Sequence, residues 1–191
     1  CDLMLLHSDG SEKVLVESGE GAVTDPFVSF DAKWVYYAFF HQVNPVASYN
    51  ISKAGSDIFK INLETREIVQ LTHQEFTPNM GAGTWILDSF IDNPVWIANS
   101  LLHGMINLAP CPLAGGKIAF VSSRNAFTPP KLYYTAPTLQ LFVMDEDGSN
   151  VQCIAPMTIG SAMHPTPLKD GRILFSSYES QGLRDLRMWG V

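Results

Sequence analysis

The amino-acid sequence predicts an all-β chain, a partial β-propeller, on three observations. One hairpin pattern recurs three times, a second pattern recurs three times, and both advance by the same step. The first pattern covers Asp25 to Phe40 (DPFVSFDAKWVYYAFF), Ala109 to Ser123 (APCPLAGGKIAFVSS) and His164 to Ser177 (HPTPLKDGRILFSS). Each copy has a Pro-containing lead, a tight turn and an apolar strand, which is the signature of a hairpin. The second pattern covers Asp2 to Val16, Asp57 to Leu71 and Gln140 to Ile154, with turns at Asp9-Gly10, Glu64-Thr65 and Asp147-Gly148. From Asp31 to Ala114 is a step of 83, and from Ile58 to Leu141 the step is again 83. Two hairpins moving in lockstep make one four-stranded unit, and four strands per unit describe a propeller blade.

With strands named A to D from the axis outward, residues 1-16 are C and D of one blade and 25-71 form a complete blade. Residues 109-154 form a second complete blade, and 164-191 begin a fourth with its A and B strands. Two complete four-stranded blades plus two half blades fall short of the roughly four blades that closure needs. Open sheet edges at both ends expose unpaired backbone, so the pattern predicts a window on a longer protein. Insertions at 41-56, 73-108 and 124-138 stretch the period, and residues 95-106 (VWIANSLLHGMI) predict a short helix within the longest of them.

Composition agrees with a globular domain and narrows the function. Of 191 residues, 46% are hydrophobic, enough for a substantial core. A formal net charge of -7 without any Lys/Arg stripe argues against nucleic acid as a partner. No window approaches the roughly 18 apolar residues of a membrane span. Cys1, Cys111 and Cys153 are odd in number and widely spaced, so they form neither a disulfide framework nor a Cys-x-x-Cys motif. A lipoprotein also begins its mature form with cysteine, but the repeat places Cys1 inside a blade.

Strand direction alternates along a blade, so the A-to-B and C-to-D turns share one face while all the long insertions share the other. The elaborated face is where a rigid scaffold carries functional residues. It holds Trp85, Asp88, Asp92, Trp96 and His103 in one insertion and Arg124, Tyr133 and Tyr134 in another. Near the starts of strand A lie Asp25, Cys111 and His164 from three successive blades, with Cys1 and His41 on the same face. Thiolate, imidazole and carboxylate are ligand types that Zn²⁺ accepts, which makes Cys111, His164, Cys1 and Asp25 the candidate metal set. Each also has a packing role open to it: a small buried Cys between prolines, a His bonding a carbonyl, an Asp capping a turn. No catalytic or cofactor-binding motif such as Gly-x-Ser-x-Gly, His-Glu-x-x-His, a P-loop or Gly-x-Gly-x-x-Gly is present.

At the strand level the blades resemble TolB-type propeller repeats, through Asp57-Ile58-Phe59-Lys60-Ile61-Asn62 and Leu141-Phe142-Val143-Met144-Asp145-Glu146-Asp147-Gly148. A more specific set of strings is Cys1 to Leu6 (CDLMLL), Val28 to Asp31 (VSFD), Asn107 to Leu113 (NLAPCPL), Ser123 to Phe127 (SRNAF) and Phe175 to Arg184 (FSSYESQGLR). Together these resemble the middle, propeller domain of the hydrazine synthase alpha subunit and its relatives. That resemblance implies an extracytoplasmic bacterial protein in which neighbouring domains, one bearing c-type haem, build a redox site with a nearby zinc ion. Neighbouring domains of the same chain and other subunits of a redox complex are then the expected partners. The chain has no Cys-x-x-Cys-His and attaches no haem itself, so haem and zinc are expected only in the full-length parent. The alternatives are a non-catalytic TolB-like propeller that holds a protein or peptide, and the gating propeller of a peptidase.

Overall fold

A computed structural model describes residues 1–43, 54–74, 105–125, 138–155, 160–180 and 187–190. Thirteen antiparallel strands fall into four sheets among them. The first sheet pairs β1 (Leu3–Leu6) with β2 (Glu12–Val16). The second runs in chain order through β3 (Ala22–Val28), β4 (Trp34–Phe40), β5 (Ser56–Asn62) and β6 (Ile68–Gln70). The third repeats it with β7 (Asn107–Leu113), β8 (Lys117–Ser122), β9 (Gln140–Asp145) and β10 (Gln152–Ala155). The fourth contains β11 (Gly160–Pro167), β12 (Ile173–Ser180) and β13 (Arg187–Gly190). It therefore carries a third strand beyond the A and B that the sequence predicts. No helix occurs among the described residues. Residues 95–104 of the predicted helix lie outside them, and Ile106 at its end makes a parallel bridge to Ser56 instead.

The sheets stack face to face, and period-two alternation sorts each strand between two neighbours. On β4, Tyr36 and Ala38 join Ile58, Ile118, Phe120, Phe142 and Met144 in one core cluster between the second and third sheets. Val35 and Tyr37 turn the other way, into a cluster with Leu3, Val16, Val23 and Ile61 between the first and second. Val121 and Leu141 face the fourth sheet, against Ala109 and Ala162. A sheet covered on both faces reads as continuous burial, which is why WVYYAFF and KIAFVS look uniformly apolar.

Strand A of each repeat is innermost. β7 packs against β3, β4 and β5, and β11 against β7, β8 and β9. Each A strand also breaks its register at one place, between Thr24 and Phe27, Leu108 and Cys111, and Met163 and Thr166. Asp25, Ala109 and His164 sit in those breaks with φ of 51°, 51° and 48°, each directly before a proline. A left-handed non-glycine residue costs roughly 1–2 kcal/mol, so three equivalent bulges are a designed bend in the strand.

Successive sheets are also bonded edge to edge. The equivalent residues at the start of strand C in three repeats are Cys1, Ser56 and Leu139. Val23 N donates to Cys1 O and Ala162 N to Leu139 O, both at 2.9 Å. At the middle joint the Asn107 N donates to Ser56 Oγ at 3.1 Å, while its side-chain amide donates to Ser56 O at 3.0 Å. The next repeat thus begins pinned to the previous one.

Candidate functional site

Of the residues proposed as metal ligands, Asp25 and Cys1 bond across these joints. Asp25, half-buried in the β3 bulge, accepts the backbone N–H of Ala109 through Oδ2 at 3.2 Å, tying one innermost strand to the next. Cys1 is exposed, and its thiol donates to Val23 O at 3.2 Å. Ser56, at the equivalent place one repeat on, donates Oγ to Asn107 O at 2.9 Å. Thiol and hydroxyl thus fill the same bonding position. Cys111 is fully buried in β7, opposite Ala119 of β8. Burial pushes its thiol up to about 12, so it sits as a neutral thiol. His164 is exposed on the β11 bulge.

The fold brings Asp25 to the Ala109 amide, yet it does not gather the four candidates. Among the described residues no three His, Cys, Asp or Glu side chains converge as a metal cradle. Burial holds Cys111 as a thiol unless a metal displaces its proton, since coordination uses the thiolate. By φ and register the third equivalent of Asp25 and His164 is Ala109 and not Cys111. Of the insertion residues, Trp85, Asp88, Asp92, Trp96, His103, Tyr133 and Tyr134 lie outside the described residues. Arg124 is buried, its guanidinium 5.4 Å from the centre of the Phe120 ring and 5.9 Å from that of Phe142. It packs as a cation over two core aromatics.

A polar centre that sequence reasoning missed lies at the joint between the two complete sheets. Asp57, 1% exposed at the start of β5, accepts the Thr72 hydroxyl at 2.7 Å and the Asn107 side-chain amide at 3.2 Å on Oδ1. Gln74 adds its backbone N–H to Oδ1 and its side-chain amide to Oδ2, both at 3.2 Å. His41 Nε2 lies 2.8 Å from Oδ2. Thr72 Oγ1 in turn accepts Ile58 N at 2.9 Å. One carboxylate therefore joins the ends of strands B, C and D and the first residue of the next blade. Its counterpart in the first sheet is Asp2, whose Oδ1 accepts Ser18 N at 2.8 Å and Ser18 Oγ at 2.7 Å. The available signal was an Asp opening strand C with a Ser or Thr 15 or 16 residues later, twice over.

His41, in edge contact with Phe39 and Phe59, is the most exposed member of this centre. A buried carboxylate that binds one imidazole nitrogen fixes the ring's orientation. Four of the five donors on Asp57 nevertheless come from backbone, amide or hydroxyl groups, which is the composition of a structural clasp.

No family model matches the chain, and no curated protein matches it. Solved structures do. A TolB protein from Agrobacterium tumefaciens superposes with a TM-score of 0.58 at 18% identity over 96% of this chain and 48% of its own. TolB from Acinetobacter baumannii gives 0.53 at 14% identity over 92% and 31%. An oligogalacturonate lyase from Vibrio parahaemolyticus gives 0.55 at 16% identity over 98% and 44%. The fold is that of a TolB-like β-propeller, and the chain spans about half or less of the length of these proteins.

Proposed function

We propose that the chain is a scaffold portion of a larger β-propeller protein, in which neighbouring domains supply the chemistry and the blades hold them in place. The observation that supports this is where the polar side chains go: Asp2, Asp25, Asp57, Cys1 and Asn107 all spend their hydrogen bonds on strand ends and blade joints. Cys111 is packed as a neutral core residue. The finer reading rests on the strings CDLMLL, NLAPCPL and FSSYESQGLR: the parent is an extracytoplasmic haem protein of the hydrazine-synthase-alpha type. There, c-type haem and zinc belong to adjoining domains or subunits, and the propeller walls the redox site.

A second reading is a non-catalytic propeller that binds a protein or peptide, and the likeness in fold to TolB supports it. The pyridine haemochrome spectrum of the full-length protein, with zinc measured by mass spectrometry, separates the two. Covalent c-type haem that persists in Cys111→Ala and His164→Ala, with zinc unchanged, is the result expected of a scaffold. A full-length protein without covalent haem moves the assignment to the binding reading. Loss of zinc in either variant returns these residues to the ligand set and ends the scaffold reading for this segment.

A further inference from the structure

His41 follows β4 directly and opens the 41-56 insertion, on the face that carries every long connection. Its Nε2 lies 2.8 Å from Asp57 Oδ2. An ionised carboxylate only accepts hydrogen bonds, so this nitrogen carries the proton and Nδ1 keeps the lone pair. Among the described residues nothing bonds Nδ1. Phe39 and Phe59 hold the ring edge-on, with centroids 5.7 and 6.2 Å away. The His41 side chain stays 34% exposed while that of Asp57 is 1% exposed.

The joint does not need this imidazole. Thr72, Gln74 and Asn107 already bring four N–H or O–H donors to the two oxygens of Asp57. The third sheet closes the same place without a carboxylate: 83 residues on, uncharged Gln140 stands where Asp57 does and Arg124 where His41 does, both buried. A carboxylate–imidazole pair is therefore no requirement of a blade. What the second sheet adds is a dry anion behind a ring whose other nitrogen is open.

We propose that His41 is a proton-accepting residue of a site on the insertion face. Its Nδ1 takes the proton of a substrate hydroxyl or amine, and the electron pair stays on the substrate oxygen or nitrogen. Asp57 stabilises the imidazolium that forms. A buried carboxylate serves an imidazole base in this way by fixing ring and tautomer and by compensating the charge as it develops. Asp57, closed off from solvent, is the positioning residue. The inference goes beyond the scaffold reading, and its test touches neither haem nor zinc.

The test is carbethoxylation of the native full-length protein by diethyl pyrocarbonate, each histidine followed by peptide mass spectrometry. A ring nitrogen with a free lone pair attacks a carbonyl carbon of the reagent, monoethyl carbonate leaves, and the proton on the other nitrogen is lost. His7, His73 and His164 are all exposed and serve as references within the same chain. His41 is expected to react at least about 5-fold faster than each, because a charge-assisted bond at Nε2 strengthens the nucleophile at Nδ1. A smaller ratio overturns the proposal. Asp57→Asn removes the charge and is expected to bring His41 down to the reference rate, so an unchanged rate in the folded variant overturns it too. Long-range ¹H–¹⁵N spectra of the wild-type protein decide without any variant: a protonated Nε2 and a bare Nδ1 are expected at His41, and the opposite tautomer ends the proposal.

Discussion

Gly10 and Gly148 occupy the same place in two C-to-D hairpins, with φ of 85° and 88°, yet only one of them is hemmed in. A Cβ on Gly148 would stand 2.4 Å from the carbonyl oxygen of Leu71, backbone of the preceding blade, whereas Gly10 has nothing within 4 Å. Both alanine variants pay the left-handed backbone cost of about 1–2 kcal/mol, and in a chain of this size each kcal/mol lowers Tm by roughly 2–4 °C. Gly10→Ala is therefore expected to lower Tm by no more than about 8 °C. Gly148→Ala must also push the hairpin off Leu71, and circular-dichroism melts should show at least twice the loss. Equal losses would mean that the inter-blade contact is unimportant. The Asp-Gly turns themselves were legible, because the dipeptide announces its own φ. The crowding was not, since Leu71 lies 77 residues away and meets Gly148 only once the sheets stack. The repeat had already set Ala109 level with Asp25 and His164, and their φ of 51°, 51° and 48° agree with that alignment.

At the scale of the element, Asp57 explains how a strand end becomes a joint. Its side chain accepts from Thr72, Gln74 and Asn107 and meets His41. Removing it leaves buried donors such as the Thr72 hydroxyl without their acceptor, each costing about 1–3 kcal/mol. Asp57→Ala is expected to lower unfolding stability in urea by roughly 3 kcal/mol. Asp9→Ala removes a carboxylate that serves only the exposed Ser11 and is expected to cost about 0.5 kcal/mol. If the two variants prove alike, the clasp at Asp57 is not a clasp. The hairpins that end in this joint were legible in the recurring step of 83, because turn chemistry and apolar alternation are local. The joint was not, because an Asp at a strand start reads equally as a turn cap. Only the adjacent blade brings Asn107 to it. β13 escaped for a related reason: Arg187–Gly190 is four residues long, too short for alternation to declare a strand.

Across the whole molecule, stability follows from a stack in which each sheet touches only its neighbours, as in other repeat architectures. The second and third sheets contribute to core clusters on both of their faces. The first sheet has one covered face, and Met4, Leu6 and Val14 stand 45%, 68% and 41% exposed on it. Leu174 of the fourth is 43% exposed. Local opening free energy rises with buried apolar contact, so amide exchange should be graded along the stack. The slowest amides are expected in β4, β5, β8 and β9, and those of β1, β2 and β12 should exchange faster by an order of magnitude or more, since 1.4 kcal/mol of opening energy is about tenfold in rate. Hydrogen exchange on this 191-residue chain, read by mass spectrometry of peptides from each sheet, measures the gradient. Uniform protection across all four sheets would show that the blades open as one unit and that the joints at Asp25 and Asp57 couple them more tightly than face-to-face packing does. A gradient means that packing governs, and that covering the open face of the first sheet with a further blade would slow exchange in β1 and β2 before anything else.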